Sequence, residues 1–161
     1  PTSYQSLDLK RFGYGVVTLH RPSNVDDQQV LKNACRGLIG ISEILPLVFP
    51  VHPRTRNKLN ENGLMAELVK SPNLLMPEPM NYIRFMSLVF SARLVITDSG
   101  GLQEETSYLG IPCLTVRENT ERPITITQGT NNLCSLDQLE RKAVALADQP
   151  KRKPTTIELY F

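Results

Sequence analysis

Ser99-Gly100-Gly101 follows the apolar run Arg93-Leu-Val-Ile-Thr97 and opens a helical stretch. Glycines let a ligand approach the backbone closely, and the free N–H groups and dipole of a helix start attract an anion. Ser99 adds a hydroxyl donor, so the natural guest is a phosphate or diphosphate. The same residues also suit a tight strand-to-helix turn with Ser99 as N-cap. Neither GxGxxG nor a P-loop pattern occurs, so dinucleotide and P-loop readings have no support.

Other residues could carry chemistry as well. Glu104 and Glu105 lie on the first turns of the same helix, about 100° apart, so only one faces a cleft easily. A carboxylate that accepts from two vicinal hydroxyls holds a ribose, and acidic residues near a helix start also suit the dipole. His20-Arg21 follows the end of another apolar run; arginine pairs with phosphate and histidine donates to it or moves protons. A loop histidine satisfied by backbone is the plainer reading of His20. His52 shares that ambiguity. Arg122, in a Glu-Arg-Pro turn, is a second phosphate partner or a surface ion pair with Glu121 or Glu118. Phe85 and Tyr82 suit stacking on a base, and Phe85 equally suits a core.

These residues need a scaffold. Gly15–Leu19, Leu47–Val51, Asn73–Met76, Arg93–Thr97, Cys113–Val116 and Asn132–Cys134 read as strands, several of them β-branched. Pro50 fits only an edge position or a strand end. Helices are expected over 26–44, 80–91, 102–109 and 136–147, with one or two short ones in 55–69 broken near Asn62-Gly63. His20-Arg21-Pro22-Ser23-Asn24 reads as a loop held open by Pro22, and 117–129 as a long loop. Gly110 and Pro112 stop the helix before the fifth strand. This alternation predicts an α/β fold, a Rossmann-like parallel sheet with helices on both faces. Ligands of such sheets bind beyond the carboxyl ends of the strands, where His20, His52, Ser99 and Arg122 fall.

Composition sets outer limits. The chain has 161 residues, enough for about one domain with its own core. Net charge is +2, which argues against a strongly basic nucleic-acid binder. No apolar run approaches the ~20 residues that cross a bilayer. Cys35, Cys113 and Cys134 are odd in number and lack CxxC spacing, so they read as reduced, buried thiols of a cytoplasmic protein, with no metal site. The chain begins without Met or signal-peptide pattern, which points to a fragment or a processed chain. Residues 1–13 read as a linker or tail, 14–150 as the folded domain and 151–161 as a basic tail.

Thr18-Leu-His-Arg-Pro-Ser-Asn-Val25, Val51-His-Pro53, Thr97-Asp-Ser-Gly-Gly-Leu-Gln-Glu-Glu105, Leu109-Gly-Ile-Pro112, Thr120-Glu-Arg-Pro123 and Gly129-Thr-Asn131 occur in that order. Together they closely resemble the non-hydrolysing UDP-N-acetylglucosamine 2-epimerases of bacteria. The resemblance implies one half of a glycosyltransferase-B-type architecture, the carboxyl-terminal domain that holds UDP or UDP-N-acetylglucosamine. It implies that His20 and Arg122 contact the diphosphate, with His20 also catalytic. Ser99, Gly100 and Gly101 cradle phosphate, Glu105 holds the ribose, and the Phe85 segment meets uracil. His52 matches a histidine linked in some members to a regulatory UDP-sugar site. The implied reaction inverts carbon 2 by elimination and re-addition of UDP, without nicotinamide or metal, in a homodimer feeding cell-surface polysaccharide synthesis.

The family's amino-terminal domain, with its candidate acid/base carboxylates, is absent from this chain. The ending Lys151–Phe161 matches nothing in the family pattern. The chain is therefore expected to bind UDP but to be incomplete for catalysis. A glycosyltransferase donor domain, a hydrolysing epimerase and a non-catalytic nucleotide-binding module are the alternatives. A nucleic-acid or membrane partner is not expected.

Overall fold

β1 (Gly15–Thr18) lies in the interior of a parallel sheet whose strands follow the order β3-β2-β1-β4-β5-β6. The computed structural model describes residues 4–149, so 151–161, read as a basic tail, fall outside the described residues. β2 is Leu47–Val48, β3 Leu74–Leu75, β4 Leu94–Thr97, β5 Cys113–Val116 and β6 Asn131–Cys134. β1 pairs with β4 in the register Val16↔Val95 and Val17↔Ile96. The chain runs outward from β1 to β3, then returns to β4 on the other side. The loops leaving β1 and β4 therefore diverge and open a crevice at the carboxyl edge.

The apolar strand residues split by parity. Val17, Leu47, Ile96 and Leu114 face one core, which α2 (Gln28–Ser42), α3 (Pro53–Glu61), α4 (Met65–Val69) and α8 (Leu136–Ala147) cover. Val16, Val48, Val95 and Cys113 face a second core under α5 (Tyr82–Phe90) and α6 (Gly100–Leu109). Burial on both faces is why these strands read as continuous apolar runs. Gly110 ends α6 with φ 73°, the left-handed conformation that glycine adopts without strain.

Several boundaries differ from the sequence reading. Pro22 does not hold a loop open; it is the first residue of a one-turn helix, α1 (Pro22–Val25), where its missing N–H goes unneeded. The helix expected from Asp26 begins at Gln28 instead, because the Asp27 side chain accepts the Val30 N–H at 3.0 Å as N-cap. β2 stops at Val48, before Pro50. The 117–129 loop contains another one-turn helix, α7 (Ile124–Thr127). Residues 4–13, read as tail or linker, pack on the second core: the Tyr4 and Tyr14 rings stack at 6.2 Å, and the Phe12 N–H donates to Ser91 O.

Cys35, Cys113 and Cys134 are free and buried, and burial raises their thiol pKa values to about 12, 11 and 11. Among the described residues no helix is long and apolar enough to cross a membrane, and no cluster of His, Cys, Asp and Glu could hold a metal ion.

Candidate functional site

Asp98, the residue after β4, organises the crevice. Its carboxylate is fully buried. It accepts the backbone N–H groups of His20 at 3.0 Å and Arg21 at 2.9 Å, and the Asn24 side-chain amide at 3.0 Å. Arg21 Nε donates back to the Asp98 carbonyl at 2.7 Å. The His20 ring stands with Nε2 3.5 Å from Asp98 Oδ1 and is half exposed. One carboxylate thus fixes the exit of β1 against the exit of β4. Threonines brace the same edge: the Thr18 and Thr97 hydroxyls meet at 2.7 Å, and Thr97 Oγ1 accepts the Ser99 N–H at 2.9 Å.

Ser99 occupies the N-cap position of α6, yet its side chain makes no cap bond to the helix. A methyl group on Gly101 would meet nothing within 4 Å, and one on Gly100 would meet only Glu121 and Arg117 at their side-chain tips. Packing therefore demands neither glycine. The first N–H groups of this ten-residue helix have no acceptor within the helix itself and receive none from the Ser99 side chain.

A cavity of about 290 Å³ opens there, lined by Thr18, His20, Tyr82, Phe85, Ser99, Gly101, Leu102 and Glu105. It brings together His20, Phe85, Ser99, Gly101 and Glu105, which the sequence places far apart. Glu105 is the acidic residue of α6 that faces this cavity, and the Tyr82 hydroxyl donates to its Oε1 at 2.5 Å. That hydrogen bond raises the Tyr82 pKa, because the carboxylate favours the protonated phenol. Glu104 does not line this cavity and pairs with Arg122 Nε. Arg122 is thus not paired with Glu121 or Glu118, as the local sequence suggested. Glu121 binds Arg117 through both carboxylate oxygens, at 2.6 and 2.8 Å. The Arg117 hydrogen bonds hold the Glu121 pKa down at about 2.

His52 lies outside that cavity but borders a neighbouring one of about 240 Å³, shared with His20, Thr18 and Phe85. Its Nδ1 accepts the Arg54 N–H at 3.2 Å and caps α3. A larger cavity, about 610 Å³, lies beyond Arg21 between α2 and the 117–119 segment. Its lining mixes Arg21 and Arg117 with Glu118 and Asp137, and Arg21 is the one candidate phosphate partner that enters it.

Residues 2–156 match the family described as UDP-N-acetylglucosamine 2-epimerase. The chain belongs to this family. It is 42% identical over 143 residues to the UDP-N-acetylglucosamine 2-epimerase of Methanocaldococcus jannaschii, covering 86% of this chain and 39% of the relative. It is 44% identical over 126 residues to that of Methanococcus maripaludis, covering 77% of this chain and 34% of the relative. A crystal structure of the Methanocaldococcus jannaschii epimerase in complex with UDP-GlcNAc and UDP superposes with a TM-score of 0.80 at 38% identity, over 86% of this chain and 40% of that one. The chain therefore spans well under half the length of these epimerases.

Asp98 carries geometry that the sequence reading left without a role, and Tyr82, read there as a base-stacking residue, also holds Glu105 through its hydroxyl. A charged residue directly after a β-branched strand is the signal for Asp98, since only internal partners make it tolerable there. Tyr82 stands three residues before Phe85, so both project from one face of α5.

Proposed function

We propose that this chain is the UDP-binding half of an enzyme that interconverts UDP-N-acetylglucosamine and its manno epimer. The cavity at the α6 N-terminus, where His20, Phe85, Ser99, Gly101 and Glu105 converge, is the observation that carries this reading. Glu105 accepts from the ribose hydroxyls while Tyr82 holds its second oxygen in place. The Phe85 ring meets the uracil. The Ser99 hydroxyl and the N–H groups of Gly100 and Gly101 donate to the diphosphate, with Arg122 turning from Glu104 to join them. His20 contacts the same diphosphate from the β1 side.

The reaction explains why donors gather at the diphosphate. Loss of the carbon 2 proton and breakage of the bond from carbon 1 to the UDP oxygen yield a 2-acetamidoglucal and UDP. Re-addition of UDP at carbon 1, with a proton delivered to the other face of carbon 2, gives the epimer. Charge builds on UDP as it leaves, and it is met by the N–H donors of the α6 N-terminus and His20, and by Arg122 once it has turned from Glu104. The groups that move the carbon 2 proton belong to a partner domain, so this chain forms a nucleotide-binding unit that is incomplete for catalysis by itself. The complete enzyme works as a homodimer in the cytoplasm, a setting that the free buried thiols suit. His52 borders a second, regulatory UDP-sugar position.

Calorimetric titration of UDP tests the reading. Binding on the order of −4 to −6 kcal/mol is expected for the chain, abolished by Glu105→Ala and by Arg122→Ala. A well-folded chain that takes up no UDP overturns it.

A further inference from the structure

Behind the α6 N-terminus lies a buried polar network that none of these roles uses. Gln103 is fully buried on α6. Its Oε1 accepts the Thr120 hydroxyl at 2.5 Å and the Asn131 side-chain amide at 2.9 Å. Its Nε2 donates to the Ser99 carbonyl at 3.4 Å. Asn131, 2% exposed at the start of β6, also donates to the Thr125 hydroxyl at 3.1 Å, and its Oδ1 accepts from Thr115 at 2.5 Å. The network ends on residue 122. Thr125 donates to the Arg122 carbonyl at 2.6 Å, and Thr120 Oγ1 accepts the Arg122 N–H at 3.0 Å.

Each hydroxyl in the route from Gln103 to Arg122 both donates and accepts, and each amide oxygen meets a donor, so only one orientation of the two amides satisfies all partners. Buried polar groups of this kind add little to stability over an apolar filling of the same shape. What they add is a fixed geometry. Here one end is the Ser99 turn and the other is the backbone of Arg122 on both its N–H and its carbonyl.

We propose that Gln103 and Thr120 are positioning residues of the diphosphate site, locking the 120–125 strap to the Ser99 turn so that Arg122 and the α6 N-terminus act in one frame. The inference rests on the diphosphate role of Ser99 and Arg122. It distinguishes diphosphate recognition from nucleoside recognition, because Glu105, Tyr82 and Phe85 lie outside the network.

The test uses Thr120→Val, which keeps the side-chain shape and removes the hydroxyl on a partly exposed strap, with Thr120→Ser as the rescue. UDP and uridine are titrated into the full chain, and amide exchange at Arg122 is followed without ligand. Thr120→Val is expected to weaken UDP about three- to tenfold, the worth of one lost hydrogen bond. Uridine affinity stays unchanged, Arg122 exchange accelerates, and Thr120→Ser restores all three. Gln103→Leu, where it folds, gives a larger loss of the same kind. Wild type that binds no UDP overturns the UDP-binding role and this inference with it. Wild type that binds UDP, while Thr120→Val keeps its full preference for UDP over uridine, overturns this inference alone. So does an equal loss of both ligands, or Arg122 exchange that does not change.

Discussion

The buried carboxylate of Asp98 accepts the backbone N–H of His20 at 3.0 Å, tying together two strand exits that are 78 residues apart in the chain. The bond spans the point where the strand order reverses, between β1 and β4. A ligand at that crevice meets two loops with a common anchor rather than two independent ones.

Replacing that anchor should be expensive. Asp98→Leu strands the N–H groups of His20 and Arg21 and the amide of Asn24, each of which now donates to the carboxylate. An orphaned buried donor costs ~1–3 kcal/mol, so a loss of at least about 2 kcal/mol is expected in urea unfolding. Asp98→Asn keeps one acceptor and should fall between. A loss under about 0.5 kcal/mol, the scale of an ordinary surface change, would show that the anchor is dispensable.

Gly129 is a close-approach glycine. A methyl group there would collide with the Thr125 backbone carbonyl and with Ser107 Oγ, which accepts the Thr130 N–H. Gly129→Ala should destabilise the chain by about 1–3 kcal/mol, the usual penalty of overpacking. Because Thr125 also bonds Arg122, UDP affinity should fall with it. An alanine variant with unchanged thermal stability would mean that the α7 turn yields freely at this point.

The Arg117–Glu121 pair makes a pH prediction with a definite sign. Glu121 titrates near 2 when folded, below its usual 4.5, chiefly because Arg117 donates to the carboxylate. A depressed carboxylate pKa contributes stability above the unfolded value and loses it as pH falls through the folded value. The melting-temperature difference between wild type and Glu121→Gln should therefore be steady above about pH 5 and fade between 4.5 and 2. The effect should be small and salt-sensitive, since Glu121 is exposed. A difference that grows on acidification would contradict the ion-pair account.

What the sequence made legible follows from which forces are local. β5 and α8 have the expected ends, and β1, β4 and β6 lie within one residue of them. β1 and β4 are legible because burial on both sheet faces writes itself as β-branched runs, and α8 because its buried Leu139, Ala143 and Ala147 recur at helical spacing. α1 was hidden because proline reads as a breaker unless it is known to sit at a helix start. Glu105 and Phe85 could be singled out, while the hydroxyl of Tyr82 on Glu105 could not, since α5 and α6 are brought side by side only by the sheet. Arg122 shows the limit most clearly. Its neighbours in sequence offered Glu118 and Glu121, but the fold turns it toward Glu104, 18 residues away.

That last pairing bears directly on ligand binding. Arg122 is held by Glu104, and Glu104 lines a second cavity beside the Ser99 turn together with Glu105, Tyr82 and Tyr108. A diphosphate that recruits Arg122 must compete with this carboxylate. Glu104→Gln removes the competitor and one negative charge near the anion while leaving Glu105 in place. UDP should bind about two- to fivefold more tightly, in keeping with the ~0–1 kcal/mol worth of a part-exposed ion pair. Its affinity should also fall more steeply with added salt, as an unmasked arginine requires. Uridine, which brings no phosphate, should bind as it does to wild type. If Glu104→Gln weakens UDP instead, then the carboxylate orients Arg122 toward the ligand rather than holding it back, and the two residues act as one unit in the bound state.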